Sequence, residues 1–272
     1  MPTLLPPFTI HQPSSLAEAS DMLRHYAEDA CAYAGGTELL LAMKQAGLRY
    51  GHLVDLKTIP ELDRVEAEDG ALRIGALATH LSLERSALVQ ARLPVLVDLE
   101  RRVANIRVRA TGTLGGNLCF GEPHSDPATL LLCLDARLET TERTLPLDEF
   151  LLGPYEVALQ PGELLRAVRV PGLRPTQRAS YQKFQVHEFP MLGLALVLDA
   201  EARQARVAVG SVSPTPRRSP EAEALILERR LDEAGDALAD AAELIDDKDG
   251  SADYKRHLIH VFLRRAYEEV SR

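Results

Sequence analysis

The sequence predicts an α+β chain built in three units, 1–57, 58–175 and 176–272. Three observations predict it. The first 57 residues alternate helix and strand signals around a Gly-Gly turn. Asp69-Gly70 joins two short strand runs, a strong hairpin signal. Beyond residue 175, three strand runs follow one another and only helical patterns come after them. Strands in a block, then helices in a block, mark helices packed on one side of an antiparallel sheet.

The elements follow in order. Ser15 and Glu18 stand at capping-box spacing, and Leu16, Ala19, Leu23 and Tyr26 then share one helical face. The apolar run 30–34 is long enough only for a strand, and Gly35-Gly36 ends it. Thr37 caps a helix through Leu39, Leu40 and Met43 that stops at Gly47. Residues 52–56 form another strand. The hairpin strands are 64–67 and 71–75. Helices start near Thr79 and at Pro94, proline suiting a first helical position. Residues 104–125, rich in Gly, Asn, Thr and Pro, are expected to be loop-dominated. Asp126-Pro127 reads as a cap and first helical residue. A strand at 136–140 and a short helix at 147–151 follow, and 162–175 reads as a boundary. The later strands are 180–185, 192–198 and 206–213, with 199–204 as a hairpin connection. Helices then cover 221–245, broken near Gly235, and 253–270.

Composition narrows the function classes. The chain has 272 residues, with 31 Lys and Arg against 40 Asp and Glu, a net charge of −9. Duplex DNA calls for a basic face, so the acidic balance argues against nucleic acid. Arg101, Arg102, Arg107 and Arg109 form a local basic cluster, read either as a solvated face or as a neighbour of an anionic ligand. No apolar stretch reaches the roughly 20 residues that span a bilayer. The N-terminus lacks the basic start and apolar run of a secretory signal. Cys31, Cys119 and Cys133 are too few and too scattered for a disulfide framework or an iron–sulfur site. These features fit a cytoplasmic protein with no transmembrane segment. No Ser/His/Asp or Cys/His arrangement stands out, so no catalytic residue and no metal ligand is assigned. His257 and His260 read as solvated.

The chemistry-bearing signal is a pair of glycine turns. At a strand–glycine–helix turn, backbone N–H groups point outward and bind phosphate oxygens, and glycine lets a ligand approach the main chain. Tyr33-Ala34-Gly35-Gly36-Thr37-Glu38-Leu39 has this layout. It is neither the G-x-G-x-x-G fingerprint nor a P-loop. A second stretch, Arg109 to Asn117, places three glycines beside hydroxyl and amide side chains within nine residues. Two such sites suit an extended dinucleotide.

The two turns resemble those of a known family. Thr113-Leu114-Gly115-Gly116-Asn117 ends nine residues before Asp126. With the Ala-Gly-Gly turn and the later Tyr181-Gln182-Lys183, this order and spacing is similar to the FAD-binding medium subunit of molybdenum-containing hydroxylases. That family includes carbon-monoxide dehydrogenase, xanthine dehydrogenase and dehydrogenases of N-heteroaromatic compounds. The resemblance covers essentially the whole chain. It implies a two-subdomain FAD-binding fold of the vanillyl-alcohol-oxidase/PCMH type, followed by a C-terminal antiparallel three-stranded sheet with helices.

By that resemblance, Ala34, Gly35, Gly36, Thr37 and Glu38 wrap the FAD diphosphate, mainly through main-chain N–H groups. Glu38 is expected to point away, because a diphosphate repels a carboxylate. Thr113, Leu114, Gly115, Gly116 and Asn117 hold the other side of the cofactor, and Asp126 contacts its polar chain. Leu165 touches the flavin ring through its backbone. Lys183 lies near the ring, where a cation favours a reduced, anionic flavin. Val103 stands where some relatives place an aromatic. The resemblance further implies a large subunit with the molybdenum cofactor and a small subunit with two [2Fe–2S] clusters, commonly as a dimer of heterotrimers. This chain then relays electrons and another subunit selects the substrate. Two other readings stay open: a flavin-free structural or nucleotide-binding subunit, and a free-standing FAD-dependent reductase.

Overall fold

Residues 4–45, 47–185, 189–248 and 250–272 are described in the computed structural model. The first helix, Leu16–Tyr26, starts as predicted, with Ser15 Oγ accepting from the Glu18 N–H. Strand Ala30–Tyr33, helix Leu39–Gln45 and strand His52–Asp55 follow. Strand Thr9–His11, which the sequence pattern did not reveal, completes a parallel sheet with His52–Asp55 in the middle. Parallel neighbours need crossovers, and the two helices supply them. Ala19, Val54, Leu56, Ile59, Leu62, Leu77 and Leu164 form the core of this unit.

The second unit is an antiparallel sheet in the order Val65–Glu68, Ala71–Gly75, Leu165–Pro171, Arg137–Thr140, Thr144–Pro146. The hairpin turns at Asp69 and Gly70, both at positive φ (48° and 79°), as a type I′ turn demands. The stretch 162–175, predicted as a boundary, instead carries the central strand. Its buried Ala167, Val168 and Val170 are interleaved with two arginines, and Gly162 and Pro171 flank it, which hid it in the sequence.

A second correction concerns 104–125. Two helices, Ile106–Thr111 and Leu114–Phe120, stand where a loop was expected. Asn105 Oδ1 caps the first by accepting from the N–H groups of Arg107 and Val108. Thr113 Oγ1 caps the second by accepting from Gly116. Each helical glycine costs about 1 kcal/mol relative to alanine. Burying Leu114 and Leu118 returns about 1.5–3 kcal/mol apiece, so packing wins. The following helix, Asp126–Cys133, is buried at all eight positions. Its cap is Ser125, whose Oγ accepts from Ala128, and not Asp126 as predicted. That frees the Asp126 carboxylate for other partners.

The third unit carries a four-stranded sheet rather than three: Gln177–Gln185, Pro190–Asp199, Gln204–Gly210 and a short Arg217–Arg218. Alternate residues serve opposite faces. Tyr181, Ala195, Val197 and Ala208 join the core of the second unit around helix Asp126–Cys133. Leu192, Leu194, Leu196, Val207 and Val209 meet helices Pro220–Leu227, Leu231–Ala241 and Ala252–Val270. Burial on both faces explains the unbroken apolar run in Pro190–Asp199. The helical break falls at 228–230, where Arg229 has φ 61°, and not at Gly235. Gly235 lies inside its helix because a Cβ there would press on the His260 ring, 2.5 Å from Nδ1. His260 also lies 3.2 Å from the Asp236 carboxylate, so it is partnered rather than simply solvated, whereas His257 is exposed.

Candidate cofactor site

All three units meet at one cleft of about 280 Å³, open to solvent. Its walls include Ala34, Gly35, Gly36, Thr37 and Glu38 from the first turn, Thr113, Gly116 and Asn117 from the second, and Val103, Asp126 and Lys183. Residues from positions 34 to 183 thus converge, as the sequence predicted. Leu114, Gly115 and Leu165 do not reach the cleft surface; all three are buried in the wall behind it.

The two turns touch each other. A Cβ on Gly35 would collide with the Thr111 carbonyl, so only glycine lets the turns close up. Gly36 has φ 71°, a left-handed conformation that favours glycine. Backbone donors distinguish the turns. Among the described residues, no protein acceptor takes the N–H groups of Gly35, Gly36, Thr37 or Glu38. Those donors sit on the cleft wall, which suits an anion. In the second turn, 113–117, the donors after Thr113 are spent: Leu114 N–H goes to Ala78 O, Gly115 to Ala76 O, Gly116 to Thr113 Oγ1 and Asn117 to Thr113 O. The second turn is therefore a wall rather than an anion cradle. Gly115 is glycine because Ala76 lies against it, 2.6 Å from the position of a Cβ. A Cβ on Gly116 would meet only Thr113 Oγ1, at 2.8 Å.

Asp126 and Lys183 pair with each other in the cleft wall. The Lys183 ammonium donates to Asp126 Oδ2 at 2.6 Å, and the Tyr181 hydroxyl donates to Oδ1 at 2.5 Å. Burial, together with the Asp126 carboxylate, pushes the Tyr181 phenol well above its ordinary value, so it stays a neutral donor. Arg102 donates to the Tyr181 carbonyl at 2.8 Å and sits over the Tyr181 ring. Arg109 is held by Glu84 and the Val103 carbonyl, and Arg101 by Asp98. The basic cluster is structural: none of these arginines lines the cleft.

Glu38 does not turn wholly away. It lines the cleft, where burial, and after it the Glu122 carboxylate, raises its acid above the ordinary range. Glu122 accepts from the Tyr155 hydroxyl at 2.7 Å and lies 2.6 Å from His124 Nδ1. Sequence reasoning missed Glu122, His124, Phe189 and His80, all of which line the cleft. The polar density of Glu122-Pro123-His124-Ser125 was the available signal for two of them. Among the described residues no cluster of His, Cys, Asp and Glu has metal-binding geometry. The cleft residues fit FAD: an anion cradle, glycines kept bare by close approach, and a lysine in the same lining.

The comparisons agree with this geometry. Residues 6–173 match the family described as "FAD binding domain in molybdopterin dehydrogenase", and residues 181–270 match "CO dehydrogenase flavoprotein C-terminal domain". The chain belongs to the FAD-binding medium subunits of the molybdenum hydroxylases. Like them it is an oxidoreductase component with FAD as its cofactor. This medium subunit is 33% identical over 278 residues to the carbon monoxide dehydrogenase medium chain of Hydrogenophaga pseudoflava, covering 97% of both. It is 32% identical over 226 residues to the putative xanthine dehydrogenase FAD-binding subunit of Escherichia coli K12, covering 78% of this chain and 77% of that one. Its fold matches the carbon monoxide dehydrogenase structure from Hydrogenophaga pseudoflava with a TM-score of 0.93 at 32% identity, covering 98% of both chains. Quinoline 2-oxidoreductase from Pseudomonas putida 86 matches with a TM-score of 0.90 at 25% identity, also covering 98% of both. The expected FAD-binding domain and carbon-monoxide-dehydrogenase-like fold stand; the C-terminal sheet has four strands rather than the expected three.

Proposed function

We propose that this chain is the electron relay of a multi-subunit molybdenum hydroxylase. Substrate is oxidised at a molybdenum cofactor in a large subunit. Electrons pass through two [2Fe–2S] clusters of a small subunit to the FAD held here, and leave to an external acceptor. FAD supplies the capacity to exchange electrons singly or in pairs. The near full-length match to a carbon monoxide dehydrogenase medium chain supports this assembly, for which a dimer of heterotrimers in the cytoplasm is the expected form.

The chain's own residues bind, orient and tune. The open N–H groups of Gly35, Gly36, Thr37 and Glu38 take the diphosphate. Thr113, Gly116 and Asn117 bound the cofactor's other side, with Leu114 and Gly115 anchoring that wall. Asp126 and Lys183 face the flavin end, near Val103 and the backbone of Leu165. The units 1–57, 58–175 and 176–272 each bring part of the site. The observation that carries this reading is the convergence of open anion donors and the Asp126–Lys183 pair on one cleft.

The test is reconstitution. The chain is purified with its co-purifying partners and mixed anaerobically with the substrate of the complex. Flavin bleaching in the complex, and none in the isolated chain, is the expected result. An isolated chain that oxidises an organic substrate by itself would instead mark a free-standing reductase.

A further inference from the structure

One cleft residue is engaged by nothing the account has used. His80 is 3% exposed and lines the cleft at the junction of the two turns. Its main-chain N–H donates to the Gly112 carbonyl, clipping the second turn in place. Its Nδ1 lies 2.7 Å from Oε2 of Glu100, a carboxylate with no exposure at all. Its Nε2 has no hydrogen-bond partner among the described residues.

The position of that free edge is informative. Cδ2, bonded to Nε2, lies 3.2 Å from where a Cβ of Gly112 would stand. Thr37 Oγ1 lies 3.3 Å from the same point. The Cδ2–Nε2 edge therefore reaches the place where the anion cradle and the second turn meet, and bare Gly112 leaves it uncovered. The charge inventory adds to this. Glu38 and Glu122 line the cleft, Lys183 is already paired with Asp126, and the arginines stand outside it. Other candidate cations are engaged: Lys57, which donates to the Ala34 carbonyl of the cradle, also binds Asp55, and His124 lies against Glu122.

We propose that His80 is a cofactor-binding residue whose Nε2–H donates to the diphosphate, and that Glu100 is its positioning partner. Giving Nδ1–H to Glu100 and Nε2–H to the phosphate uses both ring nitrogens as donors, with an anion on each side. Charge-assisted donation of this kind is stronger and shorter than a neutral hydrogen bond. Glu100 is fully buried, its Oε1 has no hydrogen-bond partner among the described residues, and its Oε2 contact with His80 fixes the ring direction. The inference rests on FAD being the cofactor; wild-type FAD binding reports on that separately.

The experiment uses the full-length chain, stripped of flavin and titrated with FAD and with riboflavin, which has no phosphate. His80→Leu is expected to weaken FAD by about ten- to a hundredfold and leave riboflavin unchanged. Unchanged FAD affinity, or equal loss of FAD and riboflavin, would overturn the proposal. His80→Leu also strands Glu100, so His80→Leu/Glu100→Met is made as well, removing both buried partners. That pair of changes is expected to fold and still bind FAD weakly. Recovery of wild-type FAD affinity would show that His80 acts only as packing.

Discussion

At the residue scale, the proposed tuning of the flavin rests on the Asp126–Lys183 pair. The Lys183 charge is partly compensated by a carboxylate 2.6 Å away. Lys183→Met removes a cation and should lower the flavin reduction potential. Asp126→Asn leaves the cation uncompensated and should raise it. Shifts of roughly 30 mV correspond to a tenfold change in the two-electron equilibrium. Spectroelectrochemical titration of both variants checks this, and shifts of the same sign would refute the electrostatic role. Glu38 gives a second test. Its folded pKa is raised by burial and by Glu122, so its ionisation destabilises the folded chain as pH rises above the ordinary value of 4.5. Glu38→Gln should therefore raise the Tm at pH 7 and tighten FAD. The Tm advantage should shrink as pH falls toward 4.5, where wild-type Glu38 takes up its proton. A constant advantage across that range would contradict the assignment. What the sequence made legible at this scale was residue identity at the cleft. The Asp126 cap was misread because Ser125, one residue earlier, offers its hydroxyl to Ala128 and leaves the carboxylate to Tyr181 and Lys183.

At the element scale, the two glycines of the second turn do different jobs. Gly116 faces the cleft, while Gly115 is pressed against Ala76. Gly116→Val should fold and lose most of its FAD. Gly115→Val should instead lower thermal stability even without cofactor, because its side chain meets backbone. Flavin content and apo-protein melting, measured on both, separate these effects; identical behaviour would contradict the division of labour. The hairpin at Asp69-Gly70 and the helices at Thr79 and Pro94 were legible because local caps and turn residues specify them. Helix Leu114–Phe120 was not, because its helical state depends on burying Leu114 and Leu118 in a core that only the tertiary fold creates. The central strand Leu165–Pro171 was hidden for a similar reason: its partners lie about 30 and 90 residues earlier in sequence. The short strand Arg217–Arg218 carries no pattern at two residues.

At the scale of the whole molecule, helix Asp126–Cys133 joins the parts. It begins at the cleft and runs buried between the second unit and the C-terminal sheet. The Cys133 thiol contacts the Arg206 carbonyl, and Asp135 just beyond it pairs with Arg206 and Arg218 of that sheet. The C-terminal sheet is thereby held against the cleft, which puts Lys183 in the same lining as the anion cradle. On the proposed relay reading, substrate selection belongs to the other subunits of the assembly. The central claim is that this cleft holds one FAD, and flavin stoichiometry tests it most directly. Purified chain, denatured by heat, should release one flavin per chain that chromatographs as FAD and not as FMN. A chain that is folded as judged by cooperative melting, yet releases no FAD, would contradict the account.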